Sequence, residues 1–105
     1  TGSISVFPNP FSPDGDGFDD VCMISYHLPF NAGILNVKIF DSYGRQIKTL
    51  ALNQFTNQTG NLLWDRTDDT GRAVRIGIYV VLFEAVSENC ESFKQKFTVV
   101  LAKKL

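Results

Sequence analysis

The segments IGIYVVLF (residues 76–83) and SFKQKFTVVL (residues 92–101) indicate a β-sheet protein. The second alternates with period two and places Lys94 and Lys96 on its outward face, as expected of a strand with one buried side. The first is apolar on both faces, which predicts a central strand that is covered on both sides. Polar residues 87–91 predict a turn between them, so the two segments form an antiparallel pair. The inward residues of the second strand are Phe93, Phe97, Val99 and Leu101.

Alternating segments of the same kind fill most of the remaining chain, with turn residues between them. They cover residues 3–7, 22–28, 35–39, 45–50 and 60–65. Proline cannot donate to a strand ladder, so Pro29 is expected to end the second of these five segments. Gly44 is expected at positive φ in the hairpin between the third and the fourth. The apolar face of the second segment consists of Cys22, Ile24, Tyr26 and Leu28.

Together these segments predict an all-β fold, an immunoglobulin-like antiparallel β-sandwich of about seven strands. The 105 residues are enough for a single domain that spans residues 1–105, and not for two. Trp64 is expected to anchor the core near the edge of the sandwich, where its indole N–H needs one partner. The opening Thr1-Gly2-Ser3 shows no signal-peptide pattern, which indicates a piece of a longer chain.

Charge and length exclude two classes of partner. The formal net charge is -1, so the chain lacks the basic footprint that nucleic-acid binding requires. The longest apolar run, residues 76–83, is too short to cross a bilayer, so no transmembrane segment is expected.

The two cysteines, Cys22 and Cys90, match no metal-binding spacing such as C-x-x-C. A disulfide that closes this long loop would stabilise the fold by a few kcal/mol. Sequence alone cannot place the two Cα atoms within bonding reach, and a free buried cysteine is common. Both alternatives, a bridge and two free thiols, therefore stay open.

The stretch PNPFSPDGDGFDD (residues 8–20) holds four aspartates and no cation. Carboxylates crowded on one turn repel each other, which favours either full solvation or a hard cation such as calcium. The order of the acids matches part of an EF-hand-like loop, but Ser12 and Met23 stand where its first and last acids belong. The candidate calcium ligands are Asp14, Asp16, Asp19 and Asp20, and a plain acidic turn is the alternative.

The residue inventory does not support catalysis. His27 is the only histidine and falls on the polar side of its strand, as an exposed strand histidine would. Asp68 and Asp69 stand in a turn with Gly71, where solvated turn residues are commoner than catalytic pairs. Tyr79, like Trp64, is placed for core packing and not for stacking on a sugar. The chain is therefore expected not to be an enzyme, and no cofactor other than calcium is suggested.

Three parts of the sequence, in this order and spacing, resemble a known family. They are PNPFSPDGDG at residues 8–17, VKIFDSYGR at residues 37–45, and a closing part that runs from Trp64-Asp65 through Gly77-Ile78-Tyr79 to VVLAKK at residues 99–104. The chain resembles the immunoglobulin-like domain of the flagellar hook-capping protein. It is more closely similar to the C-terminal sorting domains of type IX secretion cargo in Bacteroidetes.

This resemblance implies a non-enzymatic C-terminal domain that directs a longer secreted protein through the periplasm and outer membrane of a Gram-negative bacterium to the cell surface. It implies an outer-membrane secretion machinery, a surface processing protease and the domains of the parent polypeptide as partners. In this family pattern Gly77 leaves room beside Trp64 or Tyr79. The residues it assigns to sorting are Gly77, Tyr79, Lys94, Lys96, Lys103 and Lys104. The alternative function is a structural or adhesive immunoglobulin-like spacer module that calcium could stabilise.

Overall fold

The computed structural model describes residues 2–7 and 21–102. Its five strands are β1 (Ser3–Phe7), β2 (Cys22–Phe40), β3 (Gln46–Trp64), β4 (Gly77–Val86) and β5 (Ser92–Leu101). All four strand pairings are antiparallel. Within residues 2–7 and 21–102 there is no helix that could span a membrane.

The all-β prediction is confirmed, but the described part of the chain forms five separate strands and not about seven. Strand β2 takes in two expected strands, residues 22–28 and 35–39. Strand β3 likewise takes in nearly all of residues 45–50 and 60–65. The chain stays extended between the alternating segments, so the polar residues there bend the strands without ending them.

Pro29 does not end β2, contrary to the sequence-based expectation. The pairing between β2 and β3 is interrupted between His27 and Ala32, so no ladder bond needs the N–H that proline lacks. The Leu28 carbonyl at this interruption accepts a hydrogen bond of 3.1 Å from the Gln58 side chain. The proline therefore marks a corner at which a continuous strand changes direction.

Two further residues shape the long strands next to this corner. A Cβ atom on Gly33 would lie 2.5 Å from the carbonyl oxygen of Val86, so glycine lets β2 approach β4 closely. Asn53 adopts a φ of 47° at a β-bulge in β3. Its backbone N–H donates to Asn36 Oδ1 over 2.9 Å, which holds the bulge in place.

The corner makes the two halves of β2 belong to different layers. Residues 23–27 pair with β1, whereas residues 34–40 pair with β4, and β3 follows β2 along both halves. The rings of Tyr26 and Phe83 lie 5.2 Å apart and those of Trp64 and Tyr79 lie 5.4 Å apart, so the layer that contains β1 packs on β4. We call the layer of β1, residues 22–27 and residues 59–64 the three-stranded layer. The four-stranded layer comprises residues 46–57, residues 32–40, β4 and β5.

The core lies between these layers and follows the predicted inward faces. All four apolar residues predicted for residues 22–28 are buried. Trp64 is 1% exposed, and its indole N–H donates to the Thr67 carbonyl over 2.9 Å, as expected for an anchor at the sandwich edge. The Tyr26 hydroxyl shares a buried hydrogen bond of 2.6 Å with Thr56 Oγ1, so its polar group is satisfied inside the core. The largest fully buried side chains are Trp64, Phe83, Ile24, Leu28, Leu35, Ile39 and Leu101.

Strand β4 is central, between β2 and β5, but the expectation that both its faces are covered is wrong. Its inward residues are buried, whereas Ile78 is 54% exposed and Leu82 is 39% exposed. The physical reason is that a two-layer sandwich covers only one face of each strand. The apolar outer face of β4 therefore remains at the surface.

Three turns of the chain share one construction, at residues 41–45, 68–72 and 87–91. In each, the first residue and the fifth are joined by a backbone hydrogen bond, and the fourth donates back to the first. The side-chain oxygen of the first residue, Asp41, Asp68 or Ser87, accepts the N–H groups of the third and fifth. The fourth residue has positive φ: 82° at Gly44, as predicted, 87° at Gly71 and 64° at Cys90.

The two cysteines are free thiols, so no disulfide forms. Cys22 is fully buried next to Trp64, whereas Cys90 is exposed in the turn of residues 87–91. Burial raises the pKa of the Cys22 thiol to about 11. Cys22 therefore behaves as a small core residue.

Candidate functional site

Two of the residues assigned to sorting lie on the surface of the last strand. Lys94 and Lys96 are exposed on the outer face of β5, as the alternation predicts. The ammonium group of Lys94 lies 3.1 Å from Glu84 Oε2 on β4, and both side chains reach solvent. An exposed ion pair of this kind contributes little to stability. Because Lys94 and Lys96 are both exposed, another molecule can reach them.

The other two sorting residues that the structure describes, Tyr79 and Gly77, have roles in the fold. Tyr79 is 6% exposed, its ring packs edge-on against Trp64, and its hydroxyl donates to the Arg75 carbonyl. Burial, followed by the nearby charge of Asp41, raises the pKa of Tyr79. Gly77 has a φ of 156°, and a Cβ atom there would meet nothing within 4 Å. The expectation that Gly77 leaves room beside an aromatic ring is therefore wrong, and its backbone conformation is what favours glycine.

The remaining candidate residues lie outside the described residues. These are the calcium candidates Asp14, Asp16, Asp19 and Asp20 and the sorting candidates Lys103 and Lys104. Within residues 2–7 and 21–102, no group of three or more histidine, cysteine, aspartate or glutamate side chains is placed to hold a metal ion.

His27 and Asp69, two of the residues considered for catalysis, lie at the surface. His27 is exposed, as predicted, in a polar row with Ser3 and Thr59 on the neighbouring strands. Asp69 binds the first part of β3, because its N–H donates to the Ile47 carbonyl and its carboxylate accepts the Thr49 N–H. This contact satisfies backbone groups at the margin of the sheet.

A cleft that sequence reasoning missed lies between the turns of residues 41–45 and 68–72. Its volume is about 770 Å³. Its walls combine exposed apolar or aromatic side chains with arginines, and we call it the arginine cleft. The residues that define it are Tyr43, Arg45, Arg72, Arg75, Ile76 and Ile78. The signal in the sequence is the spacing Asp-x-x-Gly-Arg, which occurs at residues 41–45 and again at 68–72.

The aspartates of these two turns are held as carboxylates by the turns themselves. Hydrogen bonds from the Arg45 backbone and side chain lower the pKa of Asp41. A hydrogen bond from the Thr70 hydroxyl, followed by one from the Arg72 backbone, lowers the pKa of Asp68. Both carboxylates are thus engaged with donors of their own turns.

A second concavity, of about 850 Å³, lies at the opposite end of the sandwich, beside the corner in β2. Phe30, Ile34 and Phe55 provide apolar walls. On its rim the Asn36 side-chain amide donates to Asn53 Oδ1 over 3.5 Å and accepts the Asn53 backbone N–H over 2.9 Å. These amides therefore have a structural role.

Comparison with known proteins supports the fold and no specific activity. No family model and no curated protein matches the chain. FlgD from P. aeruginosa is similar in structure, with a TM-score of 0.60 and 19% sequence identity over 76% of this chain and 60% of that one. CopC from Methylosinus trichosporium OB3b has a TM-score of 0.61 and 16% identity over 100% of this chain and 97% of that one.

The present chain thus spans about three fifths of FlgD and nearly all of CopC. At these identities the likeness shows the fold alone, an immunoglobulin-like β-sandwich architecture related to that of the flagellar hook-capping protein.

Proposed function

We propose that this chain is a non-enzymatic sorting and attachment domain that directs a larger secreted protein through type IX secretion to the cell surface. The observation that carries the proposal is the outer face of β5. The strand pairs with β4 on one side. It presents Lys94 and Lys96 on its exposed outer face. Exposed charges on one face of a folded domain are a surface through which another protein can recognise it.

The partner in this proposal is an outer-membrane secretion machinery that reads the surface of β5. Two lysines two positions apart on one face lie roughly 7 Å from each other along the strand. They therefore suit a partner surface that carries acidic side chains, and the contact should weaken as salt concentration rises. Tyr79 and Gly77 act indirectly, because they fix the start of the neighbouring strand β4.

The test is a secreted reporter that carries residues 1–105 at its C-terminus in a Bacteroidetes host with a type IX system. Cell-surface reporter is measured for the unchanged domain and for the variant Lys94→Thr/Lys96→Thr. The matched control is Lys38→Thr/Lys48→Thr, which removes two charges from β2 and β3. We expect surface display of the unchanged domain and the control, and retention of the β5 variant in the periplasm.

A second fusion removes residues 103–105 and keeps Leu101, because Leu101 is 1% exposed and its loss would damage the core. Loss of display on this truncation would add Lys103 and Lys104 to the recognised surface. Retention of the unchanged fusion in the periplasm would contradict the sorting function and favour the spacer module. Normal display of the β5 variant would contradict the assignment of the contact to Lys94 and Lys96.

A further inference from the structure

The arginine cleft carries an inference that does not depend on the sorting function. The cleft lies where the turns of residues 41–45 and 68–72 meet the start of β4, and Lys94 and Lys96 are not part of its lining. Its positive and apolar groups lie side by side in one concavity of about 770 Å³. This volume is in the range of about 300–1,000 Å³ that is usual for ligand sites.

The charges of the cleft are unequally engaged. The Asp41 carboxylate accepts the Tyr43 and Arg45 backbone amides and forms a 2.8 Å ion pair with the Arg45 side chain. Arg72 and Arg75 form no ion pair with any residue in the described part of the chain. The Asp68 carboxylate also lines the cleft and its charge acts on Arg72, but its hydrogen bonds come from Thr70 and from the Arg72 backbone. The side chains of Arg72 and Arg75 are therefore the cations of the cleft that no ion pair with a described residue occupies.

The apolar groups of the cleft are unusually exposed for their size. Tyr43 is 84% exposed, Ile76 is 60% exposed and Ile78 is 54% exposed. The guanidinium group of Arg45 lies 5.5 Å from the centre of the Tyr43 ring, which orients that ring at the rim. Tyrosine and arginine are enriched among the residues that dominate protein–protein binding, and both occur in this cleft beside exposed aliphatic side chains.

We propose that the arginine cleft binds an extended peptide segment of a partner protein in which acidic and apolar side chains alternate. In an extended peptide, successive side chains point to opposite sides, and those on one side recur about every 7 Å. Carboxylates on one side reach Arg72 and Arg75, while apolar side chains on the other pack against Ile76 and Ile78. An inorganic anion would use the arginines and leave the isoleucines exposed.

The experiment is an NMR titration of the complete ¹⁵N-labelled chain with the peptide acetyl-Asp-Ile-Asp-Tyr-Asp-Ile-amide. We expect saturable shifts of backbone amides in residues 41–45 and 68–78, at peptide concentrations below about 1 mM. The same peptide with asparagine in place of aspartate should bind at least about tenfold more weakly, because it lacks the charges that pair with arginine.

Two pairs of variants locate the site. Arg72→Gln/Arg75→Gln should weaken binding at least about tenfold, since both charge-assisted contacts are lost. Lys38→Gln/Lys48→Gln removes the same charge from β2 and β3, outside the lining of the cleft, and should change the affinity less than about twofold. Equal denaturation midpoints for the two double variants show that both remain folded.

Several outcomes would overturn the proposal. They are the absence of saturable shifts up to about 1 mM peptide, shifts that map outside the cleft, and equal weakening by the two double variants. Inorganic phosphate that reproduced the same shifts at the same concentration would show a simple anion site instead. Failure of the cleft in these assays would leave surface display of the reporter unaffected, so the two proposals are tested separately.

Discussion

The turn of residues 87–91 is built like the other two turns but has Cys90 where they have glycine. Cys90 adopts a φ of 64°, in the left-handed region, and its side chain is exposed. Its backbone N–H donates to the Ser87 carbonyl over 3.0 Å, as glycine does in the equivalent turns. We therefore expect Cys90→Gly to stabilise the protein, because it removes backbone strain without losing a packed side chain.

The magnitude follows from two opposing terms. The left-handed conformation costs a residue other than glycine about 1–2 kcal/mol. Glycine also lowers the stability by about 0.4–1 kcal/mol, because the unfolded chain gains conformational freedom. The two ranges leave a net stabilisation of about 0–1.6 kcal/mol, with about 0.8 kcal/mol at their midpoints. For a urea slope of about 1.5 kcal/mol/M, a net gain of about 0.8 kcal/mol increases the denaturation midpoint by about 0.5 M.

Urea denaturation of three variants separates this backbone effect from the loss of the thiol. Cys90→Ala removes the thiol but keeps the strain, so its midpoint should stay close to that of the unchanged protein. Gly44→Ala introduces the same strain into the turn of residues 41–45, where φ is 82°, and should lower the midpoint by a similar amount. The reasoning is refuted if Cys90→Gly is no more stable than Cys90→Ala.

Three further predictions concern the core, a turn and the thiols. Gly60→Ala should destabilise the protein by about 1–3 kcal/mol in urea denaturation, because the added methyl group would overlap the Tyr26 hydroxyl. The native pKa of Asp68 is lowered, so its charge contributes stability above the unfolded pKa of about 3.9, and this contribution is lost as pH falls. Asp68→Asn should therefore have a lower urea midpoint at pH 6 and approach that of the unchanged protein near pH 3; an equal difference at both pH values would contradict the charge effect. Burial and the raised pKa of Cys22 should allow only Cys90 to react with Ellman's reagent at pH 8, and two equivalents in the folded protein would contradict the burial of Cys22.

The strand faces were predictable because alternation is local. The bounds of β1 and β5 agree with the sequence-based segments, and Lys94 and Lys96 face outward as expected. The corner at Pro29 was not predictable from local preference. Whether a proline ends a strand depends on whether a neighbour needs its N–H, and here β3 leaves that ladder position unpaired.

The arginine cleft depends on contacts between distant parts of the chain and was missed for that reason. Asp69 bonds to β3 at Ile47 and Thr49, which holds the turn of residues 68–72 beside the start of β3 and the turn of residues 41–45. Local spacing predicts each turn, but not that their arginines line one concavity. The exposure of Ile78 could not be predicted either. An apolar run has the same sequence pattern whether its second face packs against another layer of the protein or against a binding partner.

The fold sets the pKa shifts of the described residues and leaves cations accessible on two surfaces. Each resolved pKa shift has a cause in the fold: burial for Cys22 and Tyr79, and hydrogen bonds from neighbouring residues for Asp41, Asp65 and Asp68. Three of these groups, Asp41, Asp68 and Tyr79, line the arginine cleft. The accessible cations lie on the face of β5 and in the arginine cleft, beside apolar side chains that solvent also reaches. These two surfaces are therefore where binding to other macromolecules should be sought, and the two lysines and two arginines chosen for substitution distinguish one surface from the other.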